Sequence, residues 1–208
     1  DLGPNHVSLY DLEISEGTRM HDWLEQGRIS EMDMDKRAEL YEAAQKKLAD
    51  EGFMHYEISN WSKPGFESRH NLGYWRMQDY LGIGLGAHGY IDGVRIANQS
   101  VLPDYLQAIA DWDVKKKFPA ADDVHRLSER EKMQEYLFLG LRDLIFGVSN
   151  QRFNVLFGLE MVEAFGKQLQ KLNSLGLITN EEIDGEDRVK LSQKGILLAN
   201  QVFMEFVD

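Results

Sequence analysis

The chain of 208 residues contains no cysteine. Disulfides, a thiol nucleophile and thiolate ligation of zinc or an iron–sulfur cluster by its own side chains are therefore excluded. No stretch approaches the ~20 apolar residues that a bilayer-spanning helix requires, and no basic leader precedes an apolar run, so a soluble, cytoplasmic protein is expected. Positive charge is also scarce. The formal net charge is -12, and acidic groups outnumber basic ones on both sides of residue 121, which disfavours a polyanion binder. The one basic run, Lys115-Lys116-Lys117, leads into Phe118-Pro119 and reads as a solvated loop. Histidines at a metal-site spacing such as HxxxH are missing, and Ser8, Ser59 and Ser128 lack the context of a nucleophile elbow. The first residues, Asp1-Leu2-Gly3-Pro4, carry no initiator methionine, so a fragment or trimmed product is expected.

What is present suffices for one or two cores, at 43% hydrophobic and 11% aromatic residues. His6 to Leu12 reads as a strand. A helix carrying Met20, Trp23 and Leu24 follows, and an amphipathic helix from Asp33 to Asp50 is capped by Asp33 or Asp35 and stopped at Gly52. Phe53 to Ser59 alternates as a strand. Strand, helix, strand predicts a βαβ unit with parallel pairing and a right-handed crossover. Further on come short strands at 81–83 and 86–91, a hairpin at Asp92-Gly93 and a helix at 102–112 opened by Pro103-Asp104. The charged connection 115–123 marks a domain boundary, giving units 1–121 and 122–208. In the second unit, Ser128 and Glu131 form a capping-box pattern, Gly147 breaks a helix, Ser149 caps the next and Glu160 to Leu175 gives a third. Extended residues on either side of the turn Asp184-Gly185-Glu186-Asp187, then a closing helix at 193–206, complete a winged-helix-like pattern. Its third helix sets Glu160 and Glu163 against Lys167 and Lys171, and its wing is acidic, so a structural or partner-docking role is expected rather than nucleic-acid binding.

The densest chemistry lies between Tyr56 and Gly89. Histidine, asparagine, arginine and paired aromatics stand beside a glycine-rich turn, which suits a flat aromatic ligand with charged groups. Gly84, Gly86 and Gly89 spell GxGxxG, but extended chain rather than a helix follows, so a dinucleotide is disfavoured. From the residues alone, Arg69 and His70 could pair with Glu67 or Asp79, with Trp75 in the core. Glu57 could face a barrel lumen or pair with Arg69. His6 and His55 read as satisfied strand histidines, His21 and His125 as exposed ones.

Three words in order, YEISN at 56–60, RHNxxYW at 69–75 and YLGIGxGAHG at 80–89, resemble the oxygen-independent coproporphyrinogen III oxidase-like family of radical S-adenosylmethionine (SAM) proteins, in its HemW branch. Leu191-Ser192-Gln193-Lys194-Gly195 and Asn200 also resemble the family's C-terminal domain. The resemblance implies an α/β fold, the C-terminal portion of a partial TIM barrel followed by a winged-helix-like accessory domain. It implies haem contact by His70, Asn71, Tyr74 and Trp75, with His70 as candidate iron ligand, and a SAM side at Gly84, Gly86, Ala87 and His88. The implied activity is haem binding for transfer to an acceptor protein. The alternative is part of a coproporphyrinogen III dehydrogenase that forms protoporphyrinogen IX by SAM radical chemistry. Family members hold a [4Fe–4S] cluster through CxxxCxxC, which a cysteine-free chain cannot provide, so radical chemistry is assigned to a longer parent and this chain alone is expected to be inactive. Exposed barrel edges are then expected to meet the missing N-terminal half or a second copy. Ser68 stands where many relatives carry cysteine, and Leu85 where many carry proline.

Overall fold

Short strands reverse direction throughout the chain, and the three sheets of the computed structural model, which describes residues 3–207, are each antiparallel. Two compact units are formed, Asp1–Glu67 and Ser68–Asp208.

The first unit contains β1 (His6–Ser8), α1 (Arg19–Glu25), α2 (Met34–Asp50), β2 (Met54–Glu57) and β3 (Asn60–Ser62). The Thr18 hydroxyl accepts from the His21 amide to start α1, and Asp33 Oδ1 accepts from the Asp35 and Lys36 amides to start α2. The expected parallel pairing does not form. The sheet order is β1-β3-β2, with β3 antiparallel to both neighbours, so β1 and β2 run the same way but do not touch as a ladder. The cause is local. Glu57 Oε2 accepts from the Ser59 amide at 2.9 Å and from Asn60 Nδ2 at 2.5 Å, which turns the chain back immediately after β2. A hairpin closed over a few residues forms at less entropic cost than a crossover. The strand expected over 6–12 is confined to His6–Ser8, and both edges of this sheet are too short to template a long pairing. Tyr56 and Trp61 are buried in the centre.

The second unit contains α3 (Arg69–Trp75), β4 (His88–Ile91), β5 (Val94–Asn98), α4 (Leu102–Ala110), β6 (Ala121–Arg126), α5 (Glu129–Gly140), β7 (Val148–Ser149), α6 (Asn150–Phe157), α7 (Met161–Ser174), β8 (Ile178–Ile183), β9 (Glu186–Leu191), α8 (Gln193–Leu197) and α9 (Ala199–Met204). Its sheets are ordered β4-β5-β6 and β7-β9-β8. The hairpin at Asp92-Gly93 is present, both residues taking the positive φ that the tight turn requires. Residues 81–83 are not a strand. Their neighbour Tyr80 makes a single bridge to Tyr90. Residue 121, where a domain division was expected, opens β6, which pairs with β5 from Val94↔Arg126 to Asn98↔Ala121.

The capping box forms as its spacing predicts: Ser128 Oγ accepts from the Glu131 amide, and Glu131 Oε2 accepts from the Ser128 amide at 2.7 Å. Hydrogen bonding to the Ser128 amide foremost, then to the Ser128 hydroxyl and His125, holds the Glu131 carboxyl down at about 2. Beneath α5, the rings of Phe153, Phe165 and Phe206 pack with Leu137, Leu141 and Leu172 into a closed core. Arg130 lies 4.2 Å from the Phe165 ring centroid, a cation–π lid on that core. The closing helix is two, α8 and α9, separated at Leu198, where φ is -111° and ψ is 26°.

Candidate functional site

The segment Arg69–Trp75 is helical. Ser68 supplies the cap, its hydroxyl accepting from the Asn71 amide at 3.3 Å. Helical geometry places residues four apart on one face. His70 and Tyr74 accordingly meet, Nε2 to hydroxyl at 2.6 Å and ring to ring at 4.4 Å. From Tyr74 an aromatic chain runs inward: its ring stands edge-on to Tyr80 at 4.4 Å, and Tyr80 lies 6.4 Å from Tyr90, which is buried. His70 is exposed, Asn71 and Tyr74 half-buried. The pairing of Arg69 or His70 with Glu67 or Asp79 is not formed. Glu67 accepts from the Gly65 amide, and Asp79 from the Asp92 amide.

Trp75 is half-buried against the Arg142 guanidinium, 4.4 Å from its ring, and its indole Nε1 is buried without a partner among the described residues. It lines a cleft of about 160 Å³ together with Tyr74, Tyr80, Tyr90, Arg95 and Glu135. Arg95 and Glu135 form a two-pronged ion pair, at 2.7 and 2.8 Å. Glu135 is buried, and a desolvated carboxylate without that guanidinium would be costly. The hydrogen bond to Glu135 in turn raises the Arg95 pKa. Burial raises the Tyr80 and Tyr90 hydroxyls, so both are neutral phenols near neutral pH. The cleft is thus aromatic and electrically balanced. It is smaller than the 300 Å³ or so at which pockets enclose drug-sized ligands, so a tetrapyrrole could only lie across the outer face of α3.

His70 fits such a ligand chemically. If its Nε2–H donates to the Tyr74 oxygen, Nδ1 carries the lone pair that a haem iron takes, and Tyr74 fixes both tautomer and ring orientation. The glycine-rich turn fits a cofactor less directly. A Cβ at Gly82 would strike the His88 carbonyl, so Gly82 is required by the close crossing of two backbones. Asn98 Nδ2 donates to the Gly82 and Gly84 carbonyls at 3.2 and 2.9 Å, while the Ala87 amide donates to Gly84 and its carbonyl accepts from the Asn98 amide. Gly84 and Gly86 do adopt positive φ, Gly84 with open space where a Cβ would stand and Gly86 with the Ser100 backbone at van der Waals distance, and His88 is exposed. A ligand could approach there, yet much of the turn's hydrogen-bonding capacity serves the turn itself. For a [4Fe–4S] cluster the donor set does not fit, since no cysteine exists.

Sequence reasoning missed the Arg95–Glu135 pair and a similar one in which Asp143, buried, accepts from Arg76 at 2.9 Å. Nothing local signals partners 40 and 67 residues apart. In the first unit, His21, Asp22 and Glu25 bring possible ligand atoms within 4.8 Å of one another, but Asp22 and Glu25 are exposed and the helix has only seven residues. Among the described residues no helix is long and apolar enough to cross a membrane.

Comparison with known proteins adds an independent measure. The HemN C-terminal domain family model matches residues 127–198. The chain is 38% identical over 206 residues to the heme chaperone HemW of Bacillus subtilis, covering 99% of this chain and 52% of that protein. It is 34% identical to the heme chaperone HemW of Lactococcus lactis, over 97% and 50%. It is 31% identical to the mitochondrial radical S-adenosyl methionine domain-containing protein 1 of Bos taurus, over 84% and 40%. In structure it resembles the coproporphyrinogen III oxidase HemN of Escherichia coli, a radical SAM enzyme, with a TM-score of 0.68, 16% identity and coverage of 98% and 48%. The chain therefore spans about half the length of the relatives it matches.

Proposed function

This chain belongs to the oxygen-independent coproporphyrinogen III oxidase-like radical SAM family, in its HemW branch, and on that premise we propose that it carries the haem-binding surface of a haem chaperone. The observation that carries the reading is the exposed His70–Tyr74 pair on α3, backed by Tyr80 and Tyr90. Haem, when bound, supplies the iron that an imidazole ligates. Tyr74 orients His70, Trp75 and Asn71 extend the contact surface, and Tyr80, itself backed by the buried Tyr90, holds Tyr74 in place. A ligand held on an outer face, rather than enclosed, can pass to an acceptor protein without the fold opening.

In the same reading, Gly84, Gly86, Ala87 and His88 lie along SAM in the intact parent, whose cluster is held by residues other than these. The division we infer for the parent puts residues 1–121 at the end of the barrel and 122–208 in its accessory domain, with β6 joining the two through its pairing with β5. The likeness to the coproporphyrinogen III oxidase at 16% identity is one of fold, and no residue of this chain separately favours porphyrinogen dehydrogenation. Titration of haem into the chain and into His70→Ala, followed by the Soret band and by resonance Raman of the iron–imidazole stretch, tests the assignment. Affinity should fall at least tenfold, about 1.4 kcal/mol, with loss of the stretch; unchanged affinity and an unchanged stretch would remove His70 from the site.

A further inference from the structure

The winged part of the second unit contains a larger cleft that the haem reading does not use. About 480 Å³ opens between α7 and the β8–β9 hairpin. Its floor is apolar, with Val162, Leu169, Ile178 and Val189 among the lining residues, and Val162 is 66% exposed where a well-packed helix would bury it. At its rim stand Glu182 and Asp187, which face each other directly across the hairpin. Like charges opposite one another on a ladder destabilise it.

The charges of the hairpin differ in a way that bears on what covers the cleft. At the alternate positions of the ladder the charges are matched, Lys190 with Glu181 at 3.2 Å and Arg188 with Glu186 at 2.6 Å, and of these Glu181 and Arg188 also line the cleft, already paired. Neither Glu182 nor Asp187 has an ion-pair partner among the described residues. Two carboxylates thus stand unmatched beside an apolar floor whose exposed part is Val162, with Leu169 half-buried next to it.

We propose that this cleft docks a segment of a partner protein that presents an apolar side chain beside a lysine or arginine. The apolar group covers Val162 and Leu169, and the cation sits between Glu182 and Asp187, relieving their repulsion. Nucleic acid is disfavoured by the same charges, which would face its phosphates.

The full chain is titrated by fluorescence anisotropy, at about 150 mM salt, where surface attraction is screened beyond roughly 8 Å. Two fluorescein-labelled peptides of about 14 residues serve as probes, with leucines at helical spacing and the remaining positions all lysine in one and all glutamate in the other. The leucine/lysine peptide should bind and the leucine/glutamate peptide should not. Binding should weaken at least tenfold in Glu182→Gln/Asp187→Asn and in Val162→Asp. The double variant should also raise the urea midpoint, which shows that the fold is intact and that the repulsion was real. An equal change of charge elsewhere, Glu42→Gln/Asp50→Asn on α2, should alter binding less than twofold. The proposal is overturned if that control weakens binding as much as the cleft variant, if Val162→Asp has no effect, or if both peptides bind alike.

Discussion

His55 on β2 is enclosed, while His70 on α3 faces solvent with one partner, and the two show what the same imidazole does in different surroundings. His55 stacks on Trp61 with ring centroids 4.2 Å apart and planes 6° from parallel. Its Nε2 lies 3.1 Å from the Ile58 carbonyl and 3.3 Å from the Tyr41 hydroxyl, and Nδ1 lies 3.4 Å from Gln45 Nε2. Both nitrogens are occupied and burial lowers its pKa, so the ring is a neutral structural piece. His70 spends one nitrogen on Tyr74. A histidine with both nitrogens committed holds a fold together; one with a nitrogen to spare can bind something.

The sharpest way to break this contrast is to remove the ring that His55 stacks on. Trp61→Ala should cost about 3–5 kcal/mol in urea unfolding of the first unit, because a fully buried indole leaves a cavity. A loss below about 1 kcal/mol would mean that the stack is ornamental. His55→Ala should cost roughly 2 kcal/mol through lost packing and an unsatisfied Ile58 carbonyl. The pH dependence follows from the lowered pKa. A depressed folded value gives stability that is complete above the unfolded value near 6.5 and lost as pH falls through the folded one. The urea midpoint of the first unit should therefore decline on acidification from pH 8 to 5, and His55→Gln should flatten that decline. His70→Ala should change stability by no more than about 0.5 kcal/mol, as expected for an exposed side chain, so a large destabilisation would make it a second His55. The smallest effect belongs to Tyr74→Phe. Losing one hydrogen bond worth about 0.5–1.5 kcal/mol should weaken haem binding a few-fold with stability unchanged, measured by the same Soret titration.

Local signals carried further than long-range ones. The Ser128–Glu131 capping box, the Asp33 and Ser149 caps, the Asp92-Gly93 and Asp184-Gly185 turns and the α7 span were all legible, because each depends on residues within one turn of chain. The place of β3 between β1 and β2 was not, since strand order depends on which partner closes first. The helix at α3 was hidden by Gly73 and by the absence of an apolar stripe, in a stretch where its cap, Ser68, was weighed only as a replaced cysteine. For the candidate site, the motif singled out His70 and Tyr74, but their contact became visible only once the segment proved helical. The cleft behind them needed the Arg95–Glu135 pair, which no window of sequence displays.

The winged hairpin is pinned at both of its roots by glycines. A Cβ at Gly147 would strike the Val189 carbonyl, and one at Gly195 the Leu177 carbonyl. Backbones that touch this closely leave no room for a side chain at either position, so the seating of the hairpin depends on two residues outside its own strands. A single methyl group at either glycine would have to push the Val189 or Leu177 backbone aside, and so would disturb the hairpin without changing any residue within it.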